Sequence, residues 1–254
     1  MGKTSKLKVI EWIEEEEKIE VPIEVSLRRT YDEKLVAFFD ILGMTEKVSE
    51  SSVDAEEILT IMGQIQTYVK TECNSLVKEK QLIPLQLGDG FFIVAELDCI
   101  NELCNILSKI QWKALIYSNM LIRGALTAGK VVVGDDERYF IGPAIIEAFK
   151  LERQNAIFPR VIYANEINNY ITGVKVDFKY IVEGKDKIKY IDYIQHNIDN
   201  DKLTMKKLDH LLTTYGIKET LKAEYENLII KNKRAAQKYG WLISEFEAHG
   251  MKII

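Results

Sequence analysis

The chain has 254 residues, 47% of them hydrophobic, with 39 acidic against 34 basic side chains and a formal net charge of −5. Such a chain can bury a sizeable core. Its balance excludes a disordered or fibrous class and argues against coating of polymeric nucleic acid, while leaving room for a basic pocket that takes a phosphorylated small molecule. Its longest uncharged apolar runs fall short of the roughly 18 to 20 residues of a membrane span. The stretch MGKTSKLKVIEW holds no signal-peptide core, and Lys6 stands where a myristoylation pattern wants Ser or Thr, so the expectation is a cytoplasmic protein with no membrane partner.

In chain order, the acidic run Glu14-Glu15-Glu16-Glu17 precedes IEVPIEVSL, whose alternation predicts an edge strand with Pro22 near its start. Leu35 to Phe39 is a continuous apolar run ending at Asp40, the pattern of a strand buried on both faces that carries a carboxylate to its end. Helical spacing of Ile58, Ile61, Met62, Ile65, Tyr68 and Val69 predicts a helix over about 53–80, and Pro84 closes that region. Leu85 to Ala95 reads as two half-strands hinged at Gly88-Asp89-Gly90, which sets a second carboxylate at a hairpin tip. A second helix follows over 98–117, then strands over 120–128 and 130–133 broken by Gly129 and Gly134. Gly142-Pro143 opens a helix to about Gln154, since proline is accepted in a first turn. Val161 to Tyr163 is a short strand, 178–182 and 187–193 form a hairpin around Glu183-Gly184-Lys185-Asp186, and the chain is helical from about Asp199. This order predicts an α+β, ferredoxin-like fold: an antiparallel sheet with helices on one face and a C-terminal helical extension.

Cys73, Cys99 and Cys104 form no CxxC pair, which suits reduced, partly buried structural thiols, and His196, His210 and His249 have no metal-ligand spacing. Chemistry would rest on carboxylates, lysines and arginines, a set suited to Mg²⁺ or Mn²⁺ and phosphate. Asp40 and Asp89 are the prime candidates, because the topology can bring a strand end and a hairpin tip together. Two such carboxylates repel unless cations bridge them, and paired metals are the device for in-line displacement at phosphorus. Taken singly, Asp40 is equally a cap and Asp89 a turn residue.

Phe38-Phe39-Asp40-Ile41-Leu42-Gly43-Met44 resembles the F-x-D-I-x-G-F segment of class III nucleotidyl cyclases, and Leu87-Gly88-Asp89-Gly90-Phe91 resembles their L-G-D-x-F/Y hairpin. Arg123 to Gly134 is similar to the family's R-x-G-I-x-x-G-x-V-x-x-G, and Tyr139 to Glu152 to its D-x-x-G-x-x-V-N-x-A-x-R-x-E. The resemblance runs over about 33–193, and the style of the chain is most similar to the pyrimidine cyclases of bacterial Pycsar antiphage systems. It implies an arm over 1–32, a catalytic domain over 33–195 and a helical extension over 196–254.

The resemblance further implies two Mn²⁺ or Mg²⁺ ions held by Asp40, Asp89 and the Ile41 carbonyl. The triphosphate would lie on the backbone of Leu42, Gly43, Met44 and Thr45 and on Lys185, and Lys150, with Arg153 as its fallback, would offset charge at the α-phosphate. The family's purine-reading lysine and aspartate fall on Leu85 and Tyr139, which with Gln86 would line a pocket for a pyrimidine. Its transition-state asparagine falls on Ile146. The implied activity is conversion of UTP, or alternatively CTP, to a 3′,5′-cyclic nucleotide and pyrophosphate, a second messenger in antiphage defence, by a homodimer with composite sites. A catalytically degenerate nucleotide-binding module is the non-enzymatic alternative. A polymerase-palm or diguanylate-type transferase ranks below both, because no GGDEF-like segment occurs. Taken as lone lysines, Lys150 and Lys185 are more often solvated charges than phosphate ligands.

Overall fold

The structure, a computed structural model, describes residues 5–10, 20–25, 30–49, 54–134 and 139–253. The acidic run at 14–17 lies outside them. Strands β1 (Ser5–Ile10) and β2 (Glu20–Val25) pair antiparallel as a separate two-stranded sheet, with Ser5 opposite Val25. The alternation of Ser5 to Ile10 matches that of its partner, so the arm holds a second strand beside the one expected over IEVPIEV.

The main body is built on β3 (Asp32–Ile41), α1 (Met44–Ser49), α2 (Ala55–Lys78), β4 (Leu82–Leu87), β5 (Gly90–Ala95), α3 (Ile100–Ser118) and β6 (Ile122–Val133). β4, β5, β3 and β6 are neighbours in that order, and every adjacent pair is antiparallel. A β-α-β-β-α-β path with this order is the ferredoxin-like arrangement, so the α+β expectation holds. The chain continues through β7 (Phe140–Ile141), α4 (Pro143–Asn155), β8 (Val161–Tyr163), α5 (Ile167–Tyr170), β9 (Ile181–Glu183) and β10 (Lys189–Ile191). β8 joins β6 in parallel, β10 and β9 extend the sheet beyond it, and β7 pairs with the end of β6.

Alternation along β3 divides the core. Leu35, Ala37, Phe39 and Ile41 point to one face, where they pack with Ile61, Ile65 and Val69 of α2 and Leu103 and Leu107 of α3. Val36 and Phe38 point to the other, where Phe92 and Val94 join Ala144 and Ala148 of α4. Thus α2 and α3 lie on one face as expected, and α4 adds cover to the opposite one. Asp54 caps α2 by accepting the Glu56 N–H, and Pro143 opens α4.

β6 differs from the expectation: Gly129 does not break it. The strand continues because Gly129 stays paired with Lys34, and the missing side chain admits α4, whose Ala144 Cβ would lie 3.3 Å from a Cβ at that position.

Four further helices follow: α6 (Tyr193–Asn200), α7 (Met205–Thr214), α8 (Ile217–Lys231) and α9 (Lys233–Ala248). The expected boundary between 195 and 196 falls inside α6. Leu208, Leu212, Ile217, Leu221, Leu242 and Phe246 bury a second core against Trp112, Leu115 and Ile116 of α3 and Tyr193 and Ile194 of α6. Because α3 feeds both cores, the C-terminal helices pack on the sheet domain as a continuous body.

Candidate active site

Asp40 is the penultimate residue of β3 and lies in register with Arg123 of β6. With Val36 and Phe38 it belongs to the strand face that α4 covers. The Arg123 guanidinium forks onto it, donating from Nε to Oδ1 at 2.9 Å and from Nη2 to Oδ2 at 3.0 Å. The same Nε lies 2.7 Å from Oε1 of Glu152, an α4 residue only 3% exposed. That oxygen has no aligned hydrogen-bond partner among the described residues, since the Nε–H is aimed at Asp40, so the contact with Glu152 is one of charge. Burial pushes the Glu152 carboxyl up to about 7, the Asp40 charge adds to it, Arg123 and Arg153 oppose, and Asp89 raises it further.

Asp89 belongs to the same locality. β4 and β5 close with Leu87 opposite Gly90, leaving Gly88-Asp89 as a two-residue turn in which Gly88 takes φ +61°. β3 pairs with β5 as far as Phe39 opposite Phe91, so one further step along the register sets Gly90 beside Asp40 and the Asp89 turn beside Ile41.

A cavity of about 380 Å³ opens at this end of the sheet, with Asp40, Gly43, Thr45, Arg123 and Arg153 in its wall. The opposite wall comes from α9 and the residue before it, through Asn232, Arg234 and Lys238. A second cavity, about 450 Å³, flanks the same glycine turn between Met44 and Lys47 on one side and Thr220, Glu224 and Tyr239 on the other. Within that turn the Leu42 N–H donates to the Leu121 carbonyl at 2.8 Å. It is committed to the fold, which narrows the expected phosphate-facing amides to Gly43, Met44 and Thr45.

Lys150 and Lys185 do not line the cavity at Asp40. Lys150 is exposed and stands two residues from Glu152, about 200° around the helix, so it projects from the outer side of α4. Lys185 is exposed at the tip of the β9–β10 hairpin, on the far edge of the sheet. Arg153, one turn beyond Phe149, does reach the cavity. Ile146 shares the outward side of α4 with Lys150 at 55% exposure, while Phe149 lies at the flank of the helix with its ring centroid 5.3 Å from that of Phe38.

Around the expected base pocket, Leu85 pairs across the hairpin with Phe92, whose ring packs edge-on to Phe140 at 5.7 Å, beside Tyr139. Tyr139 is 61% exposed, and its backbone carbonyl accepts the Gly134 N–H. Gln86 folds back to donate from Nε2 to the Gly88 carbonyl at 3.1 Å.

Among the described residues no group of three or more His, Cys, Asp or Glu side chains is placed to hold a metal. The donors on offer are two carboxylates and the Ile41 carbonyl, all oxygen, a set that fits a hard divalent cation completing its shell with water and phosphate oxygens. Other nucleophile chemistry is disfavoured. Burial pushes all three thiols up to about 12, and His196 is tied to Ser108 and Asn200 in a buried polar network.

Within the sequence motifs Arg123 and Glu152 carry no assigned role, and Arg234 and Lys238, which line the cavity, lie outside every motif. Their spacing of four residues places both on one helix face, which is a legible signal; the surface that face meets has no local signature.

No family model matches the sequence, and no curated protein matches it. Among solved structures, the chain is similar to the monomeric guanylyl cyclase domain of the RhoGC fusion protein from the aquatic fungus Blastocladiella emersonii, with 18% identity and a TM-score of 0.48 over 63% of this chain and 94% of that one. It is also similar to a bacterial light-regulated adenylyl cyclase, at 11% identity and a TM-score of 0.49 over 67% of this chain and 57% of that one. A third is the guanylate cyclase domain of RhGC from Catenaria anguillulae in complex with GTP, at 18% identity and a TM-score of 0.44 over 63% of this chain and 93% of that one. No helix among the described residues is long and apolar enough to cross a membrane.

Proposed function

We propose that the protein is a metal-dependent nucleotidyl cyclase that converts UTP to 3′,5′-cyclic UMP and pyrophosphate. The observation that carries the reading is the convergence of Asp40 and the Asp89 turn on one end of the sheet, beside a cavity walled by Arg123, Arg153, Arg234 and Lys238. In the reaction the ribose 3′-oxygen forms a bond to the α-phosphorus, the bond from that phosphorus to the bridging oxygen of the β-phosphate breaks, pyrophosphate leaves, and the hydroxyl proton passes to solvent. Asp40, Asp89 and the Ile41 carbonyl would hold Mn²⁺ or Mg²⁺, which would lower the pKa of the 3′-hydroxyl and neutralise charge on the phosphates. Arg123 keeps the Asp40 carboxylate oriented and offsets its charge while the site is empty of cations. Gly43 to Thr45 offer backbone N–H groups to the phosphates.

Lys150 and Lys185 lie away from Asp40 within one chain, which supports a homodimer in which each chain lends these lysines to its partner's aspartates. The apolar Leu85 beside Gln86 and Tyr139 supports a pyrimidine in the base pocket, with CTP as the alternative substrate. On the likeness to the Pycsar cyclases, the product would be a second messenger in antiphage defence. Exposed Ile146 in place of the family's asparagine favours a second reading, a module that binds nucleotide without turnover.

The test is incubation of the purified protein with each of the four nucleoside triphosphates and Mn²⁺. Cyclic UMP from UTP is expected, with Asp40→Ala and Asp89→Ala each lowering the rate by ~10²-fold or more. Binding of UTP and Mn²⁺ without product would establish the second reading, and absence of both binding and product would sink the two together.

A further inference from the structure

Arg160, the residue before β8, is fully buried. Its guanidinium carbon stands 5.3, 4.8 and 5.7 Å from the ring centroids of Phe158, Tyr190 and Trp241. These rings come from the approach to β8, from β10 and from α9. They brace one another, Trp241 stacking on Phe158 with centroids 5.6 Å apart and meeting Tyr190 edge-on at 5.7 Å. Ring faces attract a cation but do not replace hydrogen-bond acceptors. Among the described residues Nη2 donates to Asp186, while Nε and Nη1 find no partner. A guanidinium so placed is costly, and an apolar side chain of similar volume would serve packing alone. Its presence here asks for a role beyond packing.

That role lies in what its one hydrogen bond holds. Asp186 belongs to the β9–β10 turn, next to Lys185. Gly184 of the same turn rests against the guanidinium: a Cβ there would lie 2.6 Å from Nη1 and 2.6 Å from Asp186 Oδ1. Within the turn, the Gly184 N–H donates to the Ile188 carbonyl at 3.0 Å and the Lys187 N–H to the Gly184 carbonyl at 2.9 Å. Asp186 Oδ1 also accepts the Ile188 N–H at 3.3 Å. Lys185 is exposed, and its ammonium enters none of these bonds. At its other end, the Arg160 carbonyl accepts the Gly124 N–H at 3.1 Å, one residue from the Arg123 that forks onto Asp40. The lysine-bearing turn is therefore seated on a rigid cage built from the sheet and the C-terminal helix. A cation on a fixed turn loses less freedom on meeting an anion than one on a mobile turn.

We propose that Arg160 is a positioning residue: caged by Phe158, Tyr190 and Trp241, it clamps the β9–β10 turn through Asp186 and Gly184 and so presents Lys185 to the phosphates of the nucleotide. The clamp stands on the cage geometry, and what Lys185 meets rests on the cyclase reading. The helical extension thereby contributes to the site through Trp241, at a distance from the phosphates.

The experiment compares the full-length wild type with Asp186→Asn, Gly184→Ala and Asp186→Glu, by hydrogen exchange of the turn amides and by kinetics with UTP and Mn²⁺. Asp186→Asn weakens the bond to Nη2 without touching the cage, and Gly184→Ala keeps every charge while pushing the turn away, so misfolding of either leaves the other to be read. In both, the Gly184 or Lys187 amides still present should exchange ~10-fold faster. KM for UTP should rise ~3- to 10-fold while kcat stays within about twofold. Asp186→Glu, which keeps the carboxylate, should retain most of the wild-type behaviour. In a Lys185→Ala background, Asp186→Asn should raise KM no further, whereas a purely structural Arg160 predicts the same added loss with or without Lys185. Unchanged exchange in both variants, or a KM shift that persists undiminished without Lys185, overturns the assignment. A loosened turn in a protein that neither binds nor turns over nucleotide removes the cyclase reading and leaves the clamp standing; turnover with a KM indifferent to Asp186 does the reverse.

Discussion

Arg123 grips Asp40 across the β3–β6 ladder with two parallel hydrogen bonds, Nε to Oδ1 at 2.9 Å and Nη2 to Oδ2 at 3.0 Å, and touches Glu152 with the same Nε. One guanidinium therefore holds two carboxylates that repel each other. Arg123→Ala leaves Asp40 without its fork and buried Glu152 with only the Arg153 charge to oppose its own, and should lower the unfolding free energy by about 2 kcal/mol, read from urea midpoints. Adding Glu152→Gln should recover part of that loss, because one of the two stranded charges is then gone. Strict additivity of the two substitutions would contradict this coupling.

Glu152 also predicts a pH dependence. Burial holds its folded carboxyl up at about 7, against the ordinary glutamate value of 4.5. Between those values the unfolded chain has released its proton and the folded chain has not, so stability falls as pH rises from 4.5 to 7 and levels above. A gap of that size corresponds to about 3 kcal/mol. The difference in unfolding free energy between wild type and Glu152→Gln, followed across that window, should shift against the wild type by this order and be flat above it.

The far end of α9 has the opposite protonation logic. His249 Nε2 lies 2.9 Å from Asp192 Oδ2, and Asp192 also caps α6 by accepting the Gln195 N–H. Bonding to Asp192 raises the imidazole to about 9, with the Glu245 carbonyl and charge adding to it and burial opposing. The stabilisation is complete below the ordinary histidine value of 6.5 and disappears as pH rises through 9. Thermal unfolding of the wild type should lose on the order of 2 to 3 kcal/mol over this range relative to His249→Ala, whose own profile lacks that component.

Gly124 sits beside Arg123, opposite Phe39 in the antiparallel β3–β6 ladder. A Cβ there would lie 2.5 Å from the Phe38 carbonyl oxygen and 2.6 Å from the Phe39 Cβ, leaving no flexible group to give way. Gly124→Ala should cost about 3 kcal/mol and misplace the Arg123 fork, visible as a lower melting temperature together with weaker nucleotide binding. An alanine variant as stable as the wild type would show that β3 and β6 separate more readily than their pairing implies.

Much of the fold is legible in the chain because its signals are local. The apolar run Leu35 to Phe39, the helical spacing from Ile58 to Val69 and the Gly-Asp-Gly hinge each report backbone preference and one-sided burial within a few residues. Gly129 misleads for the same reason: locally it reads as a breaker, while pairing with Lys34 keeps the strand intact and the bare Cα gives α4 its seat. The Leu42 amide, expected to face phosphate, is taken by Leu121, a partner no local pattern announces.

The candidate site divides along the same line. Asp40 and Asp89 stand out in the chain because a carboxylate closing a buried strand and another at a hairpin tip break patterns that are otherwise apolar or turn-forming. Arg123 opposite Asp40, Glu152 buried beneath them, and Arg234 and Lys238 closing the cavity follow from strand register and from how α4 and α9 seat on the body. Periodicity specifies which side of an element is buried. Which distant element that side meets is settled by long-range packing, and that packing alone brings the C-terminal helix to the strand that carries Asp40.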